Sequence, residues 1–302
     1  VIRAGIYGTQ HGHVRGKLQA MKDSANYEVV SVYEPDAEAR KLAQADALYK
    51  GLRFVSEEEL LGDSSIQLIV VECRVWEAIA WGNKVISAGK HMHLEKPPGA
   101  EWAPFKELVE EARRKKLLLQ TGYMWRHHRG ISAAIEAAKK GWLGDVYLLR
   151  GTINSDRTPE GRAIEARYPG GSFFELGGHL VDRMVELFGR PKKVSSWLRH
   201  DSSIDDKLKD NTMAVFEYDR ALAVLSSAAR MWGTDQHRSF ELIGTDGSIM
   251  VQPAEGARPK MRIGMRKAQG PYKAGWQEIE LGPQPRFKGD FQEMARALQS
   301  GQ

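Results

Sequence analysis

Short apolar, β-rich runs alternate with helical segments through residues 1–121, and this alternation limits the folds open to the chain more than any other feature. The expected strands cover residues 2–7, 28–33, 52–54, 66–71, 91–94 and 117–120. The run at 66–71 is rich in β-branched and other apolar residues, which is typical of a strand buried on both faces. Strands separated by helices in this way predict a doubly wound parallel sheet of Rossmann type, an α/β fold, in a first domain of residues 1–121.

The pattern changes after residue 121. A helix is expected at 131–140, and longer alternating runs follow, with hairpin turns at 218–220 and 244–247. The runs cover residues 146–154, 193–199, 212–218, 222–230, 239–243, 248–252 and 260–265. We therefore expect a second domain, residues 122–302, of α+β type with a large, mostly antiparallel open sheet.

Composition narrows the classes of partner. The chain of 302 residues is 42% hydrophobic and 27% charged, with a net charge of +5 and a single cysteine. The densest basic run, residues 113–116, lies at a helix end, where cations complement the helix dipole, and has no interleaved aromatic residues. No apolar run is long enough to span a bilayer. We expect a cytoplasmic protein without nucleic-acid or membrane partners, although a removed leader would leave no trace here.

The segment after the first strand stands where a dinucleotide-binding turn would lie. There a first glycine makes a tight turn, and a helix amino terminus faces the pyrophosphate. The match to G-x-G-x-x-G is partial, and an ordinary strand–helix turn is the alternative. The candidate cofactor-binding residues here are Gly8, Thr9, Gln10, His11, Gly12 and His13.

An acidic residue, Glu34, ends the second expected strand. A carboxylate at this place holds a ribose hydroxyl of NAD and repels the additional phosphate of NADP. We therefore expect NAD rather than NADP, with Glu34 as the residue that binds the ribose hydroxyl and distinguishes the two cofactors. The alternative is that Glu34 and Asp36 only cap the next helix, a role that suits Asp36.

Lys96 follows the fifth expected strand, directly before Pro97 and Pro98. Ligands of open α/β sheets bind at the carboxyl ends of the strands, and the prolines restrict the backbone that carries this lysine. The position therefore favours a functional lysine over a solvated surface residue. Cys73, which ends the fourth strand, could line the same cofactor pocket.

A glycine-rich segment, residues 168–182, separates the first two strands of the second domain. Glu175, His179 and Asp182 are spaced i, i+4 and i+7, so in a helix they share one face. A carboxylate one turn before an imidazole raises its basicity, which makes His179 a candidate general base. His91 and His93 also point the same way along their strand, but no third ligand with suitable spacing follows, and no metal site is expected.

Several short motifs, in order and spacing, resemble those of the Gfo/Idh/MocA oxidoreductases, the glucose-fructose oxidoreductase and inositol dehydrogenase family. They are EKP at 95–97, GYMWR at 122–126, GWLGDV at 141–146, the segment 170–179 and ELIGTDG at 241–247. The resemblance implies NAD(P)-dependent oxidation or reduction of a carbon bearing a hydroxyl or carbonyl group, most often in sugars and cyclitols. It also implies a homodimer or homotetramer assembled through the second sheet.

The resemblance also implies roles for individual residues. Lys96, His179 and Glu175 are the expected catalytic residues, and Glu175 takes the place of the family's aspartate. Arg126 is expected to contact the substrate together with these three. His127, which follows Arg126, is a further candidate for a substrate contact, with a core or interface role as the alternative. Glu95 and Arg74 join the cofactor-binding candidates, although Cys73-Arg74-Val75 stands where relatives usually have Thr-Pro-Asn.

Two other functions are compatible with these residues. One is a redox-neutral glycosidase or lyase that recycles a bound NAD, and product analysis would distinguish it because no NADH accumulates. The other is a non-enzymatic sensor of dinucleotide or sugar on the same fold, which would have no need of the base His179.

Overall fold

The structure is a computed structural model that describes residues 1–256, 258–284 and 286–301. Contacts divide these residues into two compact units. The first comprises residues 1–122 together with 286–301, and the second comprises residues 123–284.

The first unit contains a parallel sheet with the strand order β3-β2-β1-β4-β5-β6. Its strands are β1 Ile2–Tyr7, β2 Tyr27–Tyr33, β3 Arg53–Phe54, β4 Leu68–Val71, β5 His91–Leu94 and β6 Leu119–Thr121. The helices between them are α1 Val14–Lys22, α2 Ala37–Ala45, α3 Glu57–Gly62, α4 Ala78–Ser87 and α5 Trp102–Arg114. The predicted doubly wound sheet is confirmed.

Local sequence explains where these elements begin. Asp36 caps α2, with its side chain accepting from the amide of Ala39 at 2.9 Å. Ser56 and Glu59 form a capping box at the start of α3. All four residues of β4 are buried, as its apolar sequence predicts for a central strand covered on both faces.

The second unit contains a larger sheet in the order β14-β13-β12-β11-β7-β10-β9-β8. Strands β7 and β10 run parallel, whereas the neighbouring pairs are antiparallel. The strands are β7 Val146–Thr152, β8 Lys193–Arg199, β9 Asn211–Glu217, β10 Leu222–Ala228, β11 Ser239–Gly244, β12 Gly247–Val251, β13 Lys260–Met265 and β14 Gly275–Glu280. The predicted mostly antiparallel sheet is confirmed. Strand β14 was not among the strands expected from the sequence.

One face of this second sheet forms the core of its unit. Its helices are α6 Arg129–Lys139, α7 Pro159–Glu165 and α8 Gly178–Phe188. Apolar residues of α6 and α8, such as Ile135 and Leu180, are buried with the sheet residues Leu225 and Leu242. Alternate residues on the strands therefore point either into this core or to the opposite, open face.

The last helix, α9 Lys288–Ser300, belongs to the first unit, although its residues fall within the range 122–302 expected for the second domain. The Tyr27 hydroxyl donates to the Phe291 carbonyl at 2.6 Å, and the Phe291 ring lies 5.0 Å from that of His93. Gln120 donates to the Asp290 carbonyl at 3.1 Å. The helix buries an apolar stripe, and sequence order alone does not indicate which core receives it.

None of the helices in the part of the chain that the structure describes has both the length and the apolar composition needed to cross a bilayer.

Candidate functional site

The turn between β1 and α1 is built around Gly8, which has a φ of +94°. A Cβ atom at this position would lie 2.8 Å from the Glu72 carbonyl oxygen, so both conformation and space require glycine. A Cβ on Gly12 would instead meet no described atom within 4 Å. The turn is therefore tight against the sheet at Gly8 and open at Gly12, directly before α1.

Glu34 binds this turn. The residue is 1% exposed, and its carboxylate accepts from the Thr9 amide at 2.6 Å, the Thr9 hydroxyl at 2.8 Å, the Gln10 side-chain amide at 3.1 Å and the Asp36 amide at 2.9 Å. A carboxylate offers about four acceptor positions. A ribose hydroxyl could bind Glu34 only by displacing one of these donors. The assignment of Glu34 as the residue that binds the ribose stays a prediction.

A buried ion cluster lies beneath the same turn. The Lys17 side chain, from α1, is 0% exposed, and its Nζ contacts Glu72 Oε1 at 2.6 Å and Glu95 Oε2. Burial opposes the charge of Lys17, but the two carboxylates raise its pKa. Burial raises the pKa of Glu72, whereas Lys17 and a hydrogen bond with His13 hold the pKa of Glu95 well below its usual range despite burial. Two carboxylates share one ammonium, so their ionisations are linked.

Two imidazoles of the turn adjoin this cluster. His13 Nδ1 lies 3.1 Å from Glu95 Oε1, and His11 Nδ1 lies 3.8 Å from Glu72 Oε2 and 4.0 Å from Glu95 Oε2. The two rings meet edge to face with their centroids 4.8 Å apart. Burial lowers the pKa of His11 to about 3, so this imidazole is neutral at physiological pH.

Lys17 and Glu72 were not identified from the sequence. A signal for Lys17 was present, since it stands on the helix face of the buried residues Val14, Leu18 and Met21. A charged residue on such a face has to find a buried partner. The partners, Glu72 and Glu95, follow β4 and β5, and the strand order places β4 beside β1 and β5 beside β4.

Lys96 lies at the carboxyl edge of the sheet as predicted and is only 2% exposed. It lines a small cavity together with His11, Cys73 and Glu95. Burial raises the pKa of the Cys73 thiol, so Cys73 is a neutral wall residue at physiological pH. Arg74 lies outside this group, with an exposed side chain and its backbone amide bonded to Glu77 Oε2 at 3.2 Å.

The two histidines of β5 have structural partners. His91 Nδ1 accepts from the Leu118 amide at 3.0 Å, and His93 Nδ1 pairs with the Gln120 side-chain oxygen at 2.9 Å. Burial lowers the pKa of His93 to about 3. These contacts support the assignment of both residues to the structure of the sheet.

In the second unit, His179 lies in the first turn of α8 and is 2% exposed. Its ring stacks on Trp125 with centroids 5.9 Å apart and meets Tyr123 edge-on at 5.7 Å. A Cβ on Gly178 would lie 2.9 Å from the Tyr123 ring, so glycine allows this close packing. The sequence did not identify Tyr123 as a neighbour of His179.

Glu175 precedes His179 in a π-helical turn, Phe173–Gly177, rather than in the expected α-helix. Single π-helical turns are frequent at functional sites. Asp182, expected on the same face, pairs with Arg126, whose Nε lies 3.1 Å from each carboxylate oxygen and whose Nη2 lies 2.5 Å from Oδ1. The guanidinium of Arg126 is therefore already engaged by an acid of its own unit.

His127 lies half-buried at the end of a short helix, Met124–His127. The next residue, His128, has a structural role: its Nδ1 caps α6 by accepting from the Ile131 amide at 3.2 Å. Its Nε2 lies 2.5 Å from the Ala254 carbonyl oxygen.

Two family models match the chain and together cover most of it. Residues 2–123 match the oxidoreductase family with an NAD-binding Rossmann fold, and residues 131–250 match the GFO/IDH/MocA C-terminal domain.

Curated relatives include oxidoreductases of several kinds. An uncharacterised oxidoreductase of Schizosaccharomyces pombe is 29% identical over 59% of this chain and 49% of its own length. A trans-1,2-dihydrobenzene-1,2-diol dehydrogenase of Macaca fascicularis is 30% identical over 63% of this chain and 57% of its own. The matched part thus spans about half the length of these relatives. A dTDP-3,4-didehydro-2,6-dideoxy-alpha-D-glucose 3-reductase of Streptomyces violaceoruber is 26% identical over 87% of this chain and 77% of its own.

Solved structures show the same fold over the whole chain. A 3-ketoreductase of Actinomadura kijaniata, KijD10, solved with NADP and TDP-benzene, has a TM-score of 0.82 and 20% identity, covering 100% of this chain and 90% of that one. The oxidoreductase yvaA of Bacillus subtilis has a TM-score of 0.77 and 18% identity, covering 100% and 89%.

Proposed function

Because the chain belongs to the Gfo/Idh/MocA family of oxidoreductases, we propose that it is a nicotinamide-dependent dehydrogenase or reductase. The reaction is hydride transfer between the dinucleotide and a carbon that bears a hydroxyl or keto group. The substrate class is a sugar, cyclitol or related polyol, in keeping with the diol and deoxysugar named for two relatives.

The observation that carries this proposal is the β1–α1 turn. Gly8 lets the backbone pass against the sheet, the space at Gly12 is open, and α1 begins at Val14. Amides in the first turn of a helix have no partner within the helix and favour an anion. These features fit the pyrophosphate of a dinucleotide, and the bound cofactor supplies the hydride chemistry.

We favour NAD over NADP as the cofactor. The carboxylate of Glu34 lies just after the end of β2, and its negative charge opposes a ribose phosphate there even while it binds the turn.

Lys96 is proposed to donate a hydrogen bond to the reacting oxygen. Its ammonium is buried at the ligand-binding edge of the sheet, and a fixed donor in a site of low water content stabilises developing negative charge better than a solvated one.

His179 is proposed to accept the hydroxyl proton as hydride leaves. The Trp125 and Tyr123 rings fix the plane of its imidazole, and a positioned general base contributes on the order of a hundred- to ten-thousand-fold. Glu175, His127 and Arg126 are proposed to contact the substrate. Arg126 would do so by sharing or exchanging its partner Asp182.

Activity measurements test these assignments. The wild type is incubated with NAD and a panel of sugars, cyclitols and cyclic diols, and reduced nicotinamide is followed by its absorbance. With a substrate found, Lys96→Met and His179→Gln are expected to lower kcat at least about a hundredfold, since each removes a positioned group, while dinucleotide affinity stays near the wild-type value. Lys106→Met, which removes an exposed lysine of α5, is the matched control.

Near-normal rates in either active-site variant would contradict the assigned roles. Substrate cleavage or elimination without net NADH would replace the dehydrogenase with a redox-neutral enzyme that recycles its cofactor.

A further inference from the structure

Three side chains able to bind a metal come together within the first unit. They are His11 and His13, from the β1–α1 turn, and Glu95, which directly follows β5. Each offers a ligand atom within 4.8 Å of the other two. His13 Nδ1 and Glu95 Oε1 are already 3.1 Å apart, so these two ligand atoms face each other directly.

The separations suit a small ion. A tetrahedral ion with ligand distances of about 2.0–2.1 Å brings its ligand atoms to roughly 3.4 Å from one another. His13 and Glu95 are close to this spacing. The ligand nitrogen of His11 would have to move toward the other two ligand atoms by no more than about 1.4 Å. Rotation of the His11 side chain, which precedes Gly12, can supply this movement. Two imidazoles and one carboxylate are the ligand set of many zinc sites that keep a fourth position open.

The contacts of the surrounding cluster leave one oxygen of Glu95 available. Lys17 Nζ lies 2.6 Å from Glu72 Oε1 and also contacts Glu95 Oε2. Glu95 contacts Lys17 through Oε2 only, and its Oε1 lies 3.1 Å from His13 Nδ1.

A second observation points to a ligand at this place. Glu72 is 0% exposed, and its Oε2 has no hydrogen-bond donor among the residues that the structure describes. This oxygen lies 3.8 Å from His11 Nδ1, on the side of the imidazoles. A buried acceptor without a donor calls for an ion, a water molecule or a proton.

We propose that His11, His13 and Glu95 bind a divalent transition-metal ion, with zinc as the best match to the ligand set. Glu72 then acts as an outer carboxylate that holds Lys17 and faces the ion. The sequence predicts no metal site. Glu95 is 82 residues away from His13, and the fold brings the two together.

The competing explanation is that the two imidazoles bind only a phosphate group of a dinucleotide. The proposed metal site predicts binding without any dinucleotide, so the two explanations are separated by working with metal alone. The proposal does not depend on the oxidoreductase function.

The experiment uses the full chain without a histidine tag, stripped with a chelator and titrated with Co²⁺, whose visible absorption reports tetrahedral coordination. Zinc is then added to displace the cobalt. The wild type is expected to bind one Co²⁺ per chain with tetrahedral bands that zinc abolishes. His11→Gln and His13→Gln should each weaken binding by more than about tenfold, a loss that even outer residues of metal sites can cause.

His237→Gln, which removes an exposed histidine of the second unit, should leave cobalt binding unchanged. Circular dichroism and thermal unfolding of the metal-free proteins establish that the variants are folded. Absence of stoichiometric cobalt or zinc binding, or binding that survives both histidine changes, overturns the proposal. Dinucleotide binding, measured separately on metal-free protein, shows whether the proposed function fails as well.

Discussion

At Glu34, four donors converge on a carboxylate that is almost fully buried. Three of these hydrogen bonds come from Thr9 and Gln10, and the fourth comes from the amide of Asp36. The side chain therefore joins the end of β2 to the β1–α1 turn and fixes the shape of the proposed dinucleotide site. Sequence position identified Glu34 as important, but the contacts assign it a positioning role in the turn.

Glu34→Gln is expected to lower the free energy of unfolding by about 1–3 kcal/mol, the usual cost of leaving a buried donor without an acceptor. NAD affinity should fall with it, by roughly tenfold, because the turn loses its fixed shape. Chemical denaturation and calorimetric titration measure the two effects. Asp36→Asn, a change at an exposed helix cap, is the control. Weaker NAD binding with unchanged stability would indicate a direct ribose contact instead.

At the scale of elements, the β1–α1 turn contains two glycines with different environments. Gly8 has a φ of +94°, and the carbonyl oxygen of Glu72 occupies the space that a side chain at this position would need. Gly12 has neither constraint: it is exposed, and a Cβ there would meet no described atom within 4 Å.

Gly8→Ala is expected to destabilise the protein by about 1–3 kcal/mol. An alanine side chain is strained at this positive φ, and its Cβ would displace the Glu72 carbonyl. Gly12→Ala should leave stability within about 0.5 kcal/mol and still weaken dinucleotide binding, because its Cβ enters the ligand space. Thermal unfolding and calorimetric titration of both variants check this difference. Equal effects of the two substitutions on stability, or unchanged affinity in Gly12→Ala, would contradict the description of the turn.

Periodicity predicted most elements of both sheets, and local turn chemistry predicted the hairpin between β9 and β10. It missed β14, whose sequence alternates mainly polar and exposed residues along an edge of the sheet. It also could not assign α9 to a core or find the Lys17–Glu72–Glu95 cluster. These depend on contacts between residues 55 or more positions apart, which strand order determines and local sequence does not record.

At the scale of the whole molecule, the open face of the second sheet carries large apolar side chains. Trp197 and Met213 are directly paired on β8 and β9 and are 51% and 41% exposed. Leu222 on β10 and Trp276 on β14 add further exposed apolar surface to the same face. Apolar patches of this kind mark interfaces. We propose that a second copy of the chain covers this face in a homodimer or a tetramer built from such dimers.

The double variant Trp197→Glu/Met213→Glu is expected to be monomeric in size-exclusion chromatography with light scattering, whereas the wild type is expected to be dimeric or tetrameric. Buried like charges facing each other across a self-complementary interface disfavour association. Trp232→Glu, at a tryptophan that is 90% exposed and lies outside the strands, should keep the wild-type mass. A monomeric wild type, or a double variant that still assembles, would contradict the proposed interface.

The β1–α1 turn of this chain is proposed to bind a nicotinamide dinucleotide, and calorimetric titration of the wild type with NAD, NADH, NADP and NADPH tests this binding most directly. We predict one dinucleotide bound per chain, with NAD or NADH preferred over the phosphorylated pair. Absence of stoichiometric binding of all four dinucleotides to folded protein would contradict the account.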